Sequence, residues 1–247
     1  MADWLTGRIT ENRQWTPRLF SLKFHAPLGN FKAGQFVRIA LEIDGEIVAR
    51  PYSLVNSPDE SEHEIFFNIV PEGPLTTRLA SFRPGDEIMV ADRTYGFLTL
   101  DEVPAVRHLW MLATGTGVGP FVSILKSQDA WQRFEKVVLV YSVRTAQELA
   151  YRHVIDDIGS RFHQQFSFVP LITREQQTGI INKRVTDAIK GGELEEQAGI
   201  RISADDSHVM MCGNSAMITD VSELLMQRNM RKHLRREPGH ITTEKYH

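Results

Sequence analysis

The stretch LWMLATGTGVGP, residues 109–120, carries an apolar run straight into a glycine turn and then into the helical FVSILK. A short apolar run bounded by turn signals predicts a strand buried on both faces. Glycines in a strand-to-helix turn let the backbone approach a pyrophosphate, whose charge is stabilised by the open amides at the helix N-terminus. The spacing G-x-G-x-G-P is one residue short of the dinucleotide fingerprint, and by itself it suits a plain tight turn equally well. Three more compact apolar runs follow: KVVLVYSVR (136–144), FSFVPLITR (166–174) and HVMMCGN (208–214). Between them lie the helical segments PFVSILKSQDAWQRF and TAQELAYRHVIDDIGS. Strands alternating with helices predict a parallel sheet covered on both faces, with any ligand outside the carboxyl ends of its strands.

Those ends are cationic. The second run finishes on Ser142-Val143-Arg144, the third on Thr173-Arg174, and Arg184 follows in NKRV. A site for NAD would offer an acidic residue to the ribose 2′-hydroxyl, whereas arginine suits a 2′-phosphate, so the pattern points to NADP(H). The fourth run ends on Cys212-Gly213-Asn214. A lone cysteine in such a run is either a small buried hydrophobe or, from its place at the ligand side, a neighbour of the nicotinamide.

Upstream the pattern differs. RLFSLKFHA (18–26), GQFVRIALEIDGEIV (34–48), HEIFFNIV (63–70) and RPGDEIMVA (83–91) read as short strands, with a hairpin at Asp44-Gly45 and one helical piece, TTRLASF (76–82). This predicts a small antiparallel barrel or sandwich. A boundary near residues 100–105 divides the chain into 1–101 and 102–247. In EIVARPYSLVNSP (46–58), Arg50-Pro51-Tyr52-Ser53 interrupts the alternation. Proline removes a ladder donor, so the strand is predicted to end there.

The totals set bounds. A chain of 247 residues, 24% charged and 42% hydrophobic, is typical of a soluble globular protein, and a net charge of −3 argues against coating nucleic acid. The single cysteine excludes an intramolecular disulfide and a cysteine-built metal site, and fits a reducing compartment. MADWLTG lacks a secretory pattern and no apolar run approaches the roughly 18 residues of a membrane span, so a cytoplasmic location is expected. Arg228, Arg231, Lys232, Arg235 and Arg236 crowd into nine positions near the end.

Arg50-Pro51-Tyr52-Ser53, Gly73-Pro74-Leu75-Thr76, Gly115 to Pro120 and Cys212-Gly213-Asn214, in that order, resemble the ferredoxin–NADP reductase superfamily, above all its short bacterial ferredoxin/flavodoxin–NADP reductases. The resemblance spans essentially the whole chain, including SHVMMCGN and the tail KHLRREPGHITTEKYH. It implies an FAD-binding antiparallel β-barrel followed by a Rossmann-like NADP-binding α/β domain, with the flavin at their junction. By position, Arg50 would bind the FAD pyrophosphate, Pro51 would stiffen the turn, Tyr52 would lie on the isoalloxazine and Ser53 would reach flavin N5. Phe67, Asn68 and Ile69 would flank the flavin, and Gly73, Pro74, Leu75 and Thr76 would meet the diphosphate. Thr116 would stand between the nicotinamide pocket and the flavin. Val143, Arg144, Thr173, Arg174 and Arg184 would surround the 2′-phosphate, and Cys212 would pack near the nicotinamide. Relatives with a terminal tryptophan suggest Tyr246 or His247 as a shield, and plant-type relatives suggest Glu244 as a functional acid.

The implied chemistry is hydride transfer from NADPH to the flavin, then single-electron transfer to an acidic carrier, ferredoxin or flavodoxin, by a monomer with no metal of its own. The basic tail cluster is a candidate docking patch for that carrier, against a plain solvated helix face. Two alternatives stand beside this. One is a flavin reductase or oxygenase-partner reductase of the same fold; the other is a flavin-less nucleotide-binding regulatory module.

Overall fold

A computed structural model describes residues 3–246. The first half comprises β1 (Trp4–Thr16), β2 (Leu19–His25), β3 (Phe36–Ile43), β4 (Glu46–Ser53), β5 (His63–Asn68), α1 (Pro74–Ser81) and β6 (Glu87–Tyr95). Its six strands form one antiparallel sheet in the order β4-β3-β6-β1-β2-β5. A bridge between Leu54 and Ile65 draws its two edges together, which gives the sheet the barrel form. Inward residues such as Leu22, Phe24, Ile39 and Leu79 fill it and are wholly buried.

The second half comprises β7 (His108–Thr114), α2 (Gly119–Lys126), α3 (Asp129–Arg133), β8 (Lys136–Val143), α4 (Arg152–Arg161), β9 (Phe166–Ile172), α5 (Val185–Gly191), α6 (Glu193–Ala198), β10 (Ser207–Asn214), α7 (Ser215–Met226) and β11 (Ile241–Tyr246). The five strands pair in parallel in the order β11-β10-β7-β8-β9. Alternate residues of each run serve opposite faces: Leu109 and Met111 pack on one side, Trp110 and Leu112 on the other. The first of these two layers also takes in Leu19, Val55 and Phe66 from the barrel, so apolar packing is continuous between the halves. Both predicted architectures are therefore present.

Three details differ from expectation. β4 does not stop at Pro51 but runs on to Ser53, with Pro51 opposite Arg38, because β4 is an edge strand, where a missing donor is tolerated. PFVSILKSQDAWQRF breaks into α2 and α3. In TAQELAYRHVIDDIGS the helix starts only at Arg152, since Tyr151 adopts a left-handed backbone with φ 60. Two strands, β1 and β11, carry no clear signal in the sequence.

β10 and β11 are also joined by side chains. His208 is fully buried and its Nε2 lies 2.8 Å from Thr242 Oγ1. Burial, helped by the neighbouring His233, pushes the His208 imidazole down to about 3. In the unfolded chain it titrates near the ordinary value of about 6.5. Between those values the unfolded state binds the extra proton, so stability is full above about pH 6.5 and falls as the pH drops. His208→Gln is expected to flatten this acid slope; melting temperatures measured from neutral to mildly acidic pH check it, and parallel curves for the two proteins would refute it.

Candidate functional site

β4 ends on Ser53, which is nearly buried at the seam between the two halves. Its hydroxyl lies 2.6 Å from the Tyr246 hydroxyl and donates to Glu244 Oε1 at 3.3 Å. Parallel pairing of β11 with β10 sets Glu244 beside Cys212 and Tyr246 beside Asn214. Ser53, Cys212, Glu244 and Tyr246 thus converge from two sheets. Burial pushes the Glu244 carboxyl up to about 7, with the Ser53 hydrogen bond pulling the other way. Burial likewise raises the Cys212 thiol, and the charge of Glu244 adds to it. Cys212 is fully buried, as a small hydrophobe would be, yet it touches this cluster. His247 lies outside the described residues.

On the barrel side, Tyr52 packs edge-on against Phe67 with ring centroids 6.0 Å apart. Its hydroxyl is buried with no partner among the described residues, a costly state unless a ligand supplies one. Burial raises that phenol while the Arg50 charge opposes the shift, so Arg50 is close by. Arg50 itself is exposed; its guanidinium reaches only the Ala49 carbonyl, at 2.8 Å, and no carboxylate among the described residues. Helix α1 has Gly73 as its N-cap, without a side-chain cap, and Pro74 in its first turn; the Gly73 amide donates to the Val70 carbonyl at 2.8 Å, and the Leu75 and Thr76 amides have no partner among the described residues. Thr76 Oγ1 accepts the Val70 amide at 3.0 Å and ties that loop down, while Leu75 is buried beneath it. Asn68 is exposed, and Ile69 is anchored by its amide to the Arg18 carbonyl at 2.8 Å. An unpaired cation, an uncapped helix start and an orphaned phenol fit a planar ligand with a diphosphate, as FAD is.

On the sheet side, a Cβ on Gly117 would come 2.3 Å from the Cys212 carbonyl oxygen, so only glycine lets the turn after β7 rest on β10. Gly213, at φ 127, is similarly tight: its Cβ would meet Thr114 Oγ1 at 2.2 Å. The same Thr114 hydroxyl accepts the Asn214 amide at 2.7 Å, and Asn214 Oδ1 caps α7 by accepting from Ala216 and Met217. Thr114 was missed from sequence, although its place just before the glycine turn is a signal. Thr116 stands half-exposed in that turn, and Gly119 faces Val55, two residues beyond Ser53.

The arginines divide. The Thr173 amide donates to the Val143 carbonyl at 3.0 Å and the Arg174 amide to the Arg144 carbonyl at 2.9 Å, which sets Arg144 and Arg174 side by side at adjacent strand ends. Both are exposed and neither has an ion-pair partner among the described residues. Arg184 stands apart from that pairing, at the start of α5, on a cleft of about 440 Å³ that it lines with Asp187, Lys190 and Glu223. The tail cluster divides too. Arg228 pairs with Glu195 at 2.9 Å, Arg231 with Glu237 at 3.5 Å, and Arg235 with Glu102 at 3.8 Å while lying 4.0 Å over Phe97. Lys232 and Arg236 are exposed and have no such partner among the described residues.

Glu244 generates a prediction opposite in sign to that of His208. Its folded value of about 7 exceeds the ordinary 4.5. The neutral acid therefore favours the folded state fully at low pH, and this contribution is lost as the pH climbs from about 4.5 through 7. Glu244→Gln is expected to gain thermal stability relative to the parent as pH rises across that window, measured on the FAD-free protein; a pH-independent difference would refute it.

Comparison with known proteins agrees with this geometry. Residues 9–92 match the oxidoreductase FAD-binding domain model and residues 111–223 the oxidoreductase NAD-binding domain model. The chain is 46% identical over 247 residues to the flavodoxin/ferredoxin–NADP reductase of Escherichia coli K12, covering 100% of both. It is 38% identical over 235 residues to the ferredoxin–NADP reductase of Pseudomonas aeruginosa, covering 91% of this chain and 90% of that one. Among solved structures, a ferredoxin NADP+ reductase from Neisseria gonorrhoeae with bound FAD and NADP superposes with a TM-score of 0.93 at 30% identity, over 99% of each chain. The motifs at the seam and these full-length similarities have one explanation: the chain belongs to the flavodoxin/ferredoxin–NADP reductase family.

Proposed function

We propose that this chain is an FAD-dependent oxidoreductase passing electrons between NADP(H) and ferredoxin or flavodoxin, with its barrel domain at 1–101 and its nucleotide domain at 102–247. The observation that carries this is the meeting of Ser53, Glu244, Tyr246 and Cys212 between the barrel corner and the carboxyl edge of the parallel sheet. FAD, when bound, supplies the exchange between two-electron hydride chemistry and single-electron transfer.

The chain's own residues bind, orient and shield. Arg50 and the uncapped start of α1, Gly73 to Thr76, hold the diphosphate; Tyr52, stiffened by Pro51, lies on the ring system. The strand end Phe67-Asn68-Ile69 borders it. Ser53 presents its hydroxyl at the reacting edge, and Glu244, poised near neutrality, holds or releases a proton beside it. Thr116 and Cys212 bound the nicotinamide pocket, and Tyr246 covers it from the tail. Val143, Arg144, Thr173 and Arg174 form the 2′-phosphate end, with Arg184 at its margin. Holding the reacting carbon and nitrogen in register is the main catalytic contribution, and positioning of this kind is worth roughly 7–11 kcal/mol. The carrier is an acidic protein, the enzyme works as a monomer, and its setting is the cytoplasm; the lone buried cysteine suits a reducing compartment. Among the described residues no helix is long and apolar enough to cross a membrane.

Steady-state reduction of ferredoxin and of flavodoxin, with NADPH and NADH in parallel, tests the assignment. NADPH is expected to be strongly preferred. Arg144→Ala with Arg174→Ala removes two charge-assisted contacts, each worth about 1.5–3 kcal/mol, so kcat/KM for NADPH falls at least roughly a hundredfold while that for NADH holds. An unaltered ratio would make the coenzyme assignment wrong. Docking is tested separately at Lys232→Glu and Arg236→Glu, the two cations of the Arg228–Arg236 cluster with no ion-pair partner among the described residues; Arg235 is unsuitable because it also braces Glu102 and Phe97. These variants are expected to raise KM for the carrier and weaken its dependence on ionic strength, leaving ferricyanide reduction intact. A salt dependence like the parent's would exclude this surface.

A further inference from the structure

A second seam joins the two halves through residues that the proposed chemistry leaves unused. Tyr151, the residue before α4, is 3% exposed and holds φ 60, a left-handed conformation that is costly for a bulky side chain. Such strain persists only where the surroundings over-determine it. Here the ring packs on Trp15 at 5.0 Å and edge-on against Phe66 at 5.1 Å, both barrel residues. Its hydroxyl donates to Glu64 Oε1 at 2.7 Å, and Glu64, on β5, is itself only 6% exposed. Burial raises the Glu64 carboxyl, while the Tyr151 hydrogen bond, Lys126, Lys23 and Ser21 oppose it. Beside the pair lies a cavity of about 460 Å³ lined by Lys23, Asn56, Glu60, Glu62 and Lys126 among others.

The backbone of Glu64 leads directly to the catalytic corner. Its carbonyl accepts the Val55 amide at 2.9 Å and its amide donates to Asn56 Oδ1 at 3.0 Å. The Asn56 carbonyl in turn accepts the Ser123 hydroxyl of α2 at 2.6 Å. Val55 also receives Gly119, where an added Cβ would sit 3.4 Å away, at the exit of the glycine turn. One hydrogen bond between the domains is thus two residues from Ser53 along one strand exit and one helix from the nucleotide turn.

We infer that Tyr151 and Glu64 are positioning residues, whose hydrogen bond sets the glycine turn against the Ser53 corner and so sets the spacing across which hydride passes. This rests on the NADPH–flavin chemistry proposed above. Tyr151→Phe keeps the ring packing and removes only the hydroxyl; Glu64→Gln keeps an acceptor. Tyr151→Phe with Glu64→Leu removes both partners of the hydrogen bond together, which keeps the test open should the single variant fold poorly.

Tyr151→Phe and the double variant are expected to retain FAD and to bind 2′-phospho-AMP, a probe of the adenine end alone, as the parent does. Their flavin should be reduced by NADPH roughly ten- to hundredfold more slowly in stopped flow, in line with the cost of a small misplacement. Glu64→Gln should stay near the parental rate, and amide exchange at Val55 and Glu64 should quicken in Tyr151→Phe. A parental rate in Tyr151→Phe, or a slowing wholly explained by lost FAD, would overturn the inference. A parent protein that NADPH does not reduce would instead sink the flavin assignment, and the exchange comparison would still decide whether the pair couples the two halves.

Discussion

The Ser53 hydroxyl, at the last position of an edge strand, meets two side chains from another edge strand: Tyr246 at 2.6 Å and Glu244 at 3.3 Å. Edge strands carry unpaired backbone groups and are ordinarily a liability, which proteins manage by covering or charging them. Here each edge is used to hold the other through side chains. Sequestering a carboxyl at that meeting point is expensive in its charged form, and Glu244 responds by titrating about where a proton-handling group is useful. The same contact that seals the junction therefore also tunes it.

Charge is distributed with the same economy. Arg50, Arg144 and Arg174 lack carboxylate partners among the described residues, whereas Arg228, Arg231 and Arg235 are each engaged by a glutamate. Exposed ion pairs contribute little stability, about 0–1 kcal/mol. Their value in the tail is geometric: Arg235 and His233 both reach Glu102 in the connection between the sheets, and so fasten the segment that leads into β11. Arg144 and Arg174 stand just past the ends of β8 and β9, and Arg50 lies near the end of β4, where an anionic ligand can repay their exposure.

The fold was legible wherever local chemistry decided it. The Asp44-Gly45 hairpin has positive φ at both residues, and the apolar runs became the strands of a parallel sheet. What stayed hidden was set by distant partners. β1, WLTGRITENRQWT, shows no clean alternation, since its register against β2 shifts twice and each shift changes which residues face inward. β11, ITTEKY, has little apolar character and is a strand because β10 offers it an edge. The interruption at Arg50-Pro51-Tyr52-Ser53 was visible in the sequence, but the continuation of the strand through Pro51 to Ser53 followed from β4 lying at the sheet edge. The basic tail looked like free charge because Glu102, Glu195 and Glu237 meet it only in the folded chain. The left-handed backbone of Tyr151 had no local signal at all.

Ser53, Leu54, Val55 and Asn56 are gripped between them by three elements, β11, β5 and α2. Ser53 is held by β11, Leu54 by its bridge to Ile65, Val55 by the Glu64 carbonyl and the face of Gly119, and Asn56 by Ser123 of α2. A typical hydrogen bond contributes only about 0.5–1.5 kcal/mol net, so no single grip fixes the segment energetically. Rigidity comes from their convergence, because displacing any one of these residues strains the bonds of its neighbours as well. A misplacement of about 1 Å can cost a hundredfold in rate, far more than one such bond contributes to stability. The arrangement follows from that inequality. Where chemistry punishes position more steeply than folding rewards contact, many weak restraints on a short segment serve better than one strong one, and they must come from both halves that the reaction brings together.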